Sequence, residues 1–258
     1  MHVGISATRL RDWSAPGPEA VTATQSSPGL IVPTPRNRYR AGAGLLFGDL
    51  AADLVRDPSR RTSSQSCTGE FMSLTTSRRL VFESAGERDL LVMLDVDYRT
   101  VELVSQPERF RVHNGSRWTS YVPDVFAASL QGERCYFQVK PGARFGADPT
   151  LKGRIESIDS ESAARDAIHR LCPREALRVG RRLSNARWIH AAATAIDPLE
   201  ARKVHQILRS FTSPCRLGAL RAAGLDVRLR NSLLGLVGHR EVAIALGAAI
   251  DDDLEVYW

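Results

Sequence analysis

YVPDVFAASLQGERCYFQVKP, residues 121–141, reads as two β-prone runs, Tyr121 to Ala128 and Arg134 to Val139, around Leu130-Gln131-Gly132-Glu133, which has the composition of a hairpin loop. On such a hairpin Asp124 and Gln138 sit at similar distances from the turn on adjacent strands. Side chains alternate along a strand, so Gln138 and Lys140 share one face while Phe137 and Val139 share the other. The expectation is one polar face and one core face.

Upstream, Arg88-Asp89-Leu90-Leu91-Val92-Met93-Leu94 suits a helix buried on a broad face, with Glu87 near its first turn. Asp95 and Asp97 read as the helix exit and turn. Three β-prone runs follow, at Val101 to Val104, Phe110 to Val112 and Trp118 to Tyr121, the last two joined by the turn His113-Asn114-Gly115-Ser116. Beyond Pro141 the pattern predicts a polar loop around Gly142 to Lys152, a helix from Glu161 to about Leu171, and a strand from Arg187 to Ala193. Together these make an α/β unit, a mixed sheet flanked by helices.

Three regions emerge along the chain. Residues 1–60 are rich in Pro, Ser, Thr, Ala and Arg and read as an irregular basic arm, with Arg36, Arg38 and Arg40 alternating with Asn37 and Tyr39 and one short helix in the run Leu45 to Val55. Residues 61–197 hold the α/β core. Residues 198–258 turn helical, with runs at Leu199 to Leu208, Leu217 to Ala222 ending at Gly224, and a long one through Leu246, before a possible strand at Asp252 to Tyr257. Three helices and a short strand suggest a winged-helix-like appendage.

The 258 residues are 43% hydrophobic, enough for a substantial core, and carry a formal charge of +6. A sequence pI near 9.5 favours an acidic partner such as nucleic acid, although Arg-rich proteins that bind none reach similar values. Four dispersed cysteines, Cys67, Cys135, Cys172 and Cys215, form no C-x-x-C pair and fit a reduced, cytoplasmic chain. The N-terminus has no secretory pattern, and no window approaches the roughly 18 apolar residues of a membrane span. Phosphate-loop, dinucleotide and Gly-x-Ser-x-Gly patterns are missing, and the histidines do not cluster as a metal triad.

Hydrolysis of a phosphodiester needs an activated water and neutralisation of charge on the phosphate, which hard divalent ions held by oxygen ligands supply. Glu87 on a helix, Asp124 on a strand, the Gln138 amide oxygen and the Val139 backbone carbonyl are candidate ligands. Lys140 can reach the same face to orient water or stabilise developing charge. Each residue alone has a plainer explanation. Glu87 could serve the helix dipole, worth about 0.3–1 kcal/mol, Asp124 could be a turn residue, and Gln138 and Lys140 could be an exposed strand face. Their order on this secondary structure is what favours a metal site. Glu83, four residues before Glu87, would share its face on a continuous helix and is the alternative helix-borne ligand.

Pro123-Asp124 followed by Gln138-Val139-Lys140 resembles the restriction-endonuclease-like PD-(D/E)xK superfamily, with Gln138 in place of the usual Asp or Glu. The stretch from Glu83 to Pro141 is similar, more narrowly, to the TnsA-type endonuclease subunits of heteromeric transposases. These combine a helix-borne glutamate, a strand aspartate and a Q-V-K-P element in this order, often with a Gln-Pro like Gln106-Pro107. The resemblance implies a restriction-endonuclease-like core, bound Mg2+ or Mn2+, and hydrolysis at transposon 5′ ends of double-stranded DNA. It also implies a DDE transposase subunit (TnsB-like) making the 3′ cuts and an AAA+ regulator (TnsC-like) docking nearby. By the same likeness the C-terminal helices, with Arg216, Arg221, Arg228, Arg230 and Arg240, contact DNA or a partner; the alternative is a helical cap over the sheet. Trp118, Trp188 and Tyr136 read as packing residues. The competing functions are a stand-alone nuclease of defence or repair and a non-catalytic DNA- or protein-binding module in which the neutral Gln138 marks a decayed metal site.

Overall fold

A hairpin of β1 (Gly69–Met72) and β2 (Arg79–Phe82) leads into α1 (Ala85–Val96) in the computed structural model, which describes residues 67–142 and 151–258. The basic arm at residues 1–60, its short helix, and most of the loop around Gly142 to Lys152 lie outside the described residues. Ser84 starts α1 as its N-cap, the side chain accepting from the Glu87 N–H at 3.2 Å. Leu90, Leu91, Leu94 and Val96 then bury a broad face, as their spacing predicts. Asp97 ends the helix in an extended conformation.

The buried Asp95 on the last turn holds the β1–β2 turn through the Ser73 hydroxyl at 2.5 Å and the Leu74 and Thr75 N–H groups at 2.9 and 3.1 Å. Burial alone would raise its carboxyl, but His190, Ser73, Leu74 and Thr75 together hold it below the usual carboxylate range.

The central sheet has the order β3-β6-β7-β8, built from β3 (Thr100–Ser105), β6 (Val125–Ser129), β7 (Arg134–Lys140) and β8 (Ile168–Pro173). Its first three strands are antiparallel and β8 is parallel to β7. A parallel pair requires a crossover, supplied by α2 (Leu151–Ala163). β4 (Phe110–His113) and β5 (Trp118–Tyr121) pair separately as a hairpin whose turn uses Gly115 at φ +91.

Two expectations fail after Pro141. The helix foreseen from Glu161 to Leu171 starts earlier, at Leu151, and ends by Ala163. Ala163, Ala164, Ala167, Ile168 and Leu171 carry a helical period, yet Asp166 at φ +53 breaks the chain's course and parallel pairing with β7 claims Ile168–Pro173. The strand foreseen from Arg187 to Ala193 is instead part of α3 (Arg182–Thr194), where Leu183, Ala186, Ile189 and Ala193 bury one helical face. Trp188 and Ile189 suggested β structure, but the alanine-rich helical stripe prevails.

The expectation of one polar and one core face on β7 also needs correction. Tyr136 lies on the Gln138 face and packs into an aromatic cluster with Phe110, Tyr121, Phe126 and Ile158. Its ring meets Phe110 edge-on at 4.9 Å between centroids. The opposite face meets α1, where Gly86 lies against Val139. Both faces are covered, so polar groups collect at the strand's end. Trp118 is 58% exposed rather than packed, with Arg111 stacked on its ring.

Residues 198–258 form α4 (Pro198–Leu208), β9 (Cys215–Arg216), α5 (Leu217–Ala222), α6 (Val227–Gly238), β10 (Ala243–Ile244) and β11 (Glu255–Tyr257). The three strands pair in the order β10-β11-β9. Gly224 at φ +104 ends the turn after α5, and Asp226 caps α6 by accepting from the Leu229 N–H at 2.8 Å. The foreseen run through Leu246 stops at Gly238, and Ala243–Ile244 pairs with β11 instead. One hydrophobic core joins Val92 and Val96 of α1, Ala186 and Ile189 of α3, and Val204, Leu220, Leu234 and Val256.

Gly238 lets α6 cross α3 closely, since a Cβ there would lie 2.6 Å from the Ala193 Cβ. Alanine gains about 1 kcal/mol in helix propensity over glycine. Gly238→Ala is nonetheless expected to destabilise by about 1–2 kcal/mol through overpacking, read as a lower urea midpoint. A raised midpoint would show that the crossing has slack.

Candidate metal and phosphate site

Asp124 precedes β6 and faces Gln138 across the hairpin, because Val125 pairs with Phe137 and the Asp124 N–H bonds the Phe137 carbonyl at 3.0 Å. Its Oδ2 accepts from the Val139 N–H at 2.7 Å and from Gln138 Nε2 at 2.5 Å. Donation through the amide nitrogen turns the Gln138 amide oxygen away from the carboxylate, where it remains an acceptor. Both bonds fall on Oδ2. Gln106 braces the Asp124 backbone from β3, its N–H bonding the Asp124 carbonyl at 2.9 Å.

Glu87 reaches the site from the first turn of α1, where it is buried to 8% exposure. Ser84 Oγ donates to Oε1 at 2.9 Å and the Glu83 N–H donates to Oε2 at 2.7 Å. The S-x-x-E spacing of Ser84-Ala85-Gly86-Glu87 is a capping signal legible in the sequence. Capping fixes the carboxylate's position. Glu83 precedes the N-cap and is therefore not on the helix; its backbone, rather than a shared helical face, connects it to Glu87.

The two carboxylates interact strongly. Burial first, and then the Glu87 charge, push the Asp124 carboxyl up to about 7, against the opposing pull of the Val139 N–H, Lys140 and the Gln138 amide. Two carboxylates near an amide side chain are oxygen donors, a chemistry that would suit Mg2+ or Mn2+ better than soft metals. The like-charge strain between them is what a cation would relieve. Among the described residues, no group of three or more His, Cys, Asp or Glu side chains is arranged to hold a metal. A donor set here would depend instead on Gln138 and a carbonyl to complete it.

Lys140 ends β7 half-buried on the Gln138 side, and its carbonyl accepts from the Arg174 N–H at 2.9 Å. Sequence reasoning did not find the groups behind this face. The Tyr121 hydroxyl lies 3.4 Å from His169 Nε2, Arg154 stacks on the Tyr121 ring, and burial together with the Asp124 charge holds the phenol protonated. Cys172, opposite Val139, is wholly buried, which pushes its thiol up to about 12 and leaves it unreactive.

No protein-family model matches the chain, and comparison with curated proteins gives no match.

An Asp ordinarily titrates near 3.9 in an unfolded chain, well below the folded value of about 7. The group's favourable contribution is therefore present below about pH 4 and lost as pH rises toward 7. In chelator, Asp124→Asn is expected to be more stable than wild type at pH 8 by about 1–3 kcal/mol, with the gap closing at acid pH. A melting-temperature difference that stays constant between pH 4 and 8 would contradict the strained pair.

Proposed function

We propose that this chain is a metal-dependent DNA endonuclease of TnsA type, hydrolysing phosphodiesters at transposon 5′ ends together with a DDE transposase. The observation that carries the reading is the convergence of Asp124, Gln138 and Lys140 at one end of the hairpin with Glu87 held in electrostatic reach from α1. The order of core elements supports it: a helix, three antiparallel strands, a crossover helix and a parallel strand, as expected of a restriction-endonuclease-like core. So does the substitution of glutamine at residue 138, which the TnsA-type pattern calls for.

Asp124, Glu87, the Gln138 amide oxygen and the Val139 carbonyl would hold Mg2+ or Mn2+. When bound, the ion supplies charge neutralisation on the phosphate and lowers the pKa of a bound water. The protein's own contribution is positional. The Val139 N–H and the Gln138 amide aim one edge of Asp124, and the Ser84 cap fixes Glu87 before any ligand arrives. Lys140 sets a positive charge on the Gln138 side, suited to orient the attacking water or to stabilise the charge that develops on the phosphate.

The C-terminal order of helix, strand, helix, helix, strand, strand supports the winged-helix-like reading of this part. The C-terminal part of α6, Ser232–Gly238, is buried, which favours a helical cap there, since a groove-reading helix needs a free face; Val227, Arg228 and Asn231 in its first part are exposed. The arginines of this region make intramolecular contacts, most of them at the surface: Arg216 with Asp253, Arg221 with Asp252, Arg228 with Glu200, Arg230 over Trp188, and Arg240 with Thr75 and the Asp97 carbonyl.

The test is nicking of supercoiled plasmid carrying transposon ends, with Mg2+ or Mn2+ and the transposase subunit present. Wild type is expected to cut, Asp124→Ala to lose at least about 100-fold in rate, and Lys140→Ala about 10–1,000-fold. Cutting by Asp124→Ala at the wild-type rate would dismiss the site. Cutting without the transposase would favour a stand-alone nuclease. Calorimetry showing no binding of either ion, with DNA binding retained, would favour the non-catalytic module.

A further inference from the structure

Asp89 lies two residues after Glu87 on α1 and is buried, its side chain 1% exposed, yet it faces Arg88, Arg178 and Arg187. Arg187 Nη2 and Arg88 Nη2 approach its Oδ1 at 2.6 and 3.2 Å, and Arg178 Nη2 stands 3.6 Å from its Oδ2. The arginines come from α1, from the 3-10 turn Ala176–Arg178, and from α3. A single guanidinium in fork geometry suffices to satisfy a carboxylate. Here the side chains remain 38%, 46% and 48% exposed, so positive charge in excess of the Asp89 charge faces water.

This cluster adjoins the candidate site. Gly86, beside Glu87, is covered by the Arg174 stem: a Cβ added there would lie 3.3 Å from Arg174 Cγ and 2.8 Å from Val139 Cγ1. Arg174 also bonds the Lys140 carbonyl through its N–H at 2.9 Å. Arg174 thus lies on the α1 side of the sheet at the end of β8, Arg178 follows it, and Arg88 and Arg187 stand on α1 and α3; Lys140, on the Gln138 side, meets this series only through its backbone carbonyl. Glu175 lies among them, with its carboxylate accepting from the Gly142 N–H at 2.9 Å.

We propose that Asp89 organises Arg88, Arg178 and Arg187, continued by Arg174, into a seat for the phosphate backbone of duplex DNA beside the catalytic residues. This rests on the nuclease reading of the adjoining site. Guanidinium forks match phosphate oxygens, and a buried carboxylate that pins several of them reduces the side-chain entropy lost on binding. Adjacency to Glu87 through Gly86 selects a nucleic acid strand over an acidic protein, because a strand seated here passes the first turn of α1. The contacts carry no base information, so the seat positions the duplex rather than selecting its sequence.

The experiment is fluorescence anisotropy of a labelled DNA duplex in EDTA, so that nothing is cut, across a salt series. Arg178→Gln and Arg187→Gln are each expected to weaken binding by about 3–10-fold and to lower the salt slope by about 1. Arg134→Gln, exposed at the opposite end of β7 from Lys140, removes the same charge elsewhere and is expected to bind as wild type. Thermal melts establish that each variant is folded. Folded Arg178→Gln and Arg187→Gln that bind like wild type, or no worse than Arg134→Gln, overturn the seat, as does a wild type that binds no duplex. Displacement of the duplex by equimolar polyglutamate also overturns it, in favour of an acidic protein ligand. Loss of binding in the two variants while wild type cuts no DNA with either ion upholds the seat and removes the nuclease reading. Wild-type nicking with undiminished binding by both variants does the reverse.

Discussion

Asp124 accepts the Val139 N–H only because Val125 pairs with Phe137, and that register between β6 and β7 governs most of what the site contains. A slip of one residue would put Asp124 on the opposite side of the sheet from Gln138 and Lys140. The register is secured by burial on both faces: Phe137 and Val139 toward α1, and Tyr136 and Phe126 in the aromatic cluster. Parallel pairing of β7 with β8 then extends the sheet past Lys140 to Pro173 and carries Arg174 beside Gly86. Core packing thereby determines where the charged groups emerge.

The same region concentrates unfavourable charge. Asp124 and Glu87 repel each other in a protected setting, and each is fixed by backbone donors that leave it little freedom to retreat. A cation bound between them would relieve this strain and act as a stabilising ligand. Asp89, two residues further along α1, has the opposite balance, with more guanidinium than carboxylate. Acidic pair and basic cluster would be complementary if a phosphate chain is the substrate.

Much of the core could be read from residue patterns. The hairpin around Gln131-Gly132, the Gly115 turn and the apolar stripe of α1 carry their own local signals, and the structure has all three. The segment after Pro141 was misread because local and long-range preferences conflict there. Ile168–Pro173 has a helical period but is claimed by β7, and α3 contains β-prone Trp188 and Ile189 inside an alanine-rich helix. Residue spacing also suggested that β7 had a bare polar face, whereas Tyr136 shares that face and is buried.

By itself the sequence determined which chemistry was available: an acid near a helix start, Pro-Asp ahead of a strand, and Gln-Val-Lys at the end of the next. It also determined the cap that holds Glu87, since Ser84-x-x-Glu87 is a local interaction. Only the tertiary structure decided that Asp124 is raised by burial beside Glu87 and that Ser232–Gly238 of α6 is enclosed. Arg178 and Arg187 likewise reach Asp89 from distant segments. The physical reason is common to all three: desolvation, charge coupling and packing depend on distances through space between elements, and no spacing along the chain encodes those distances.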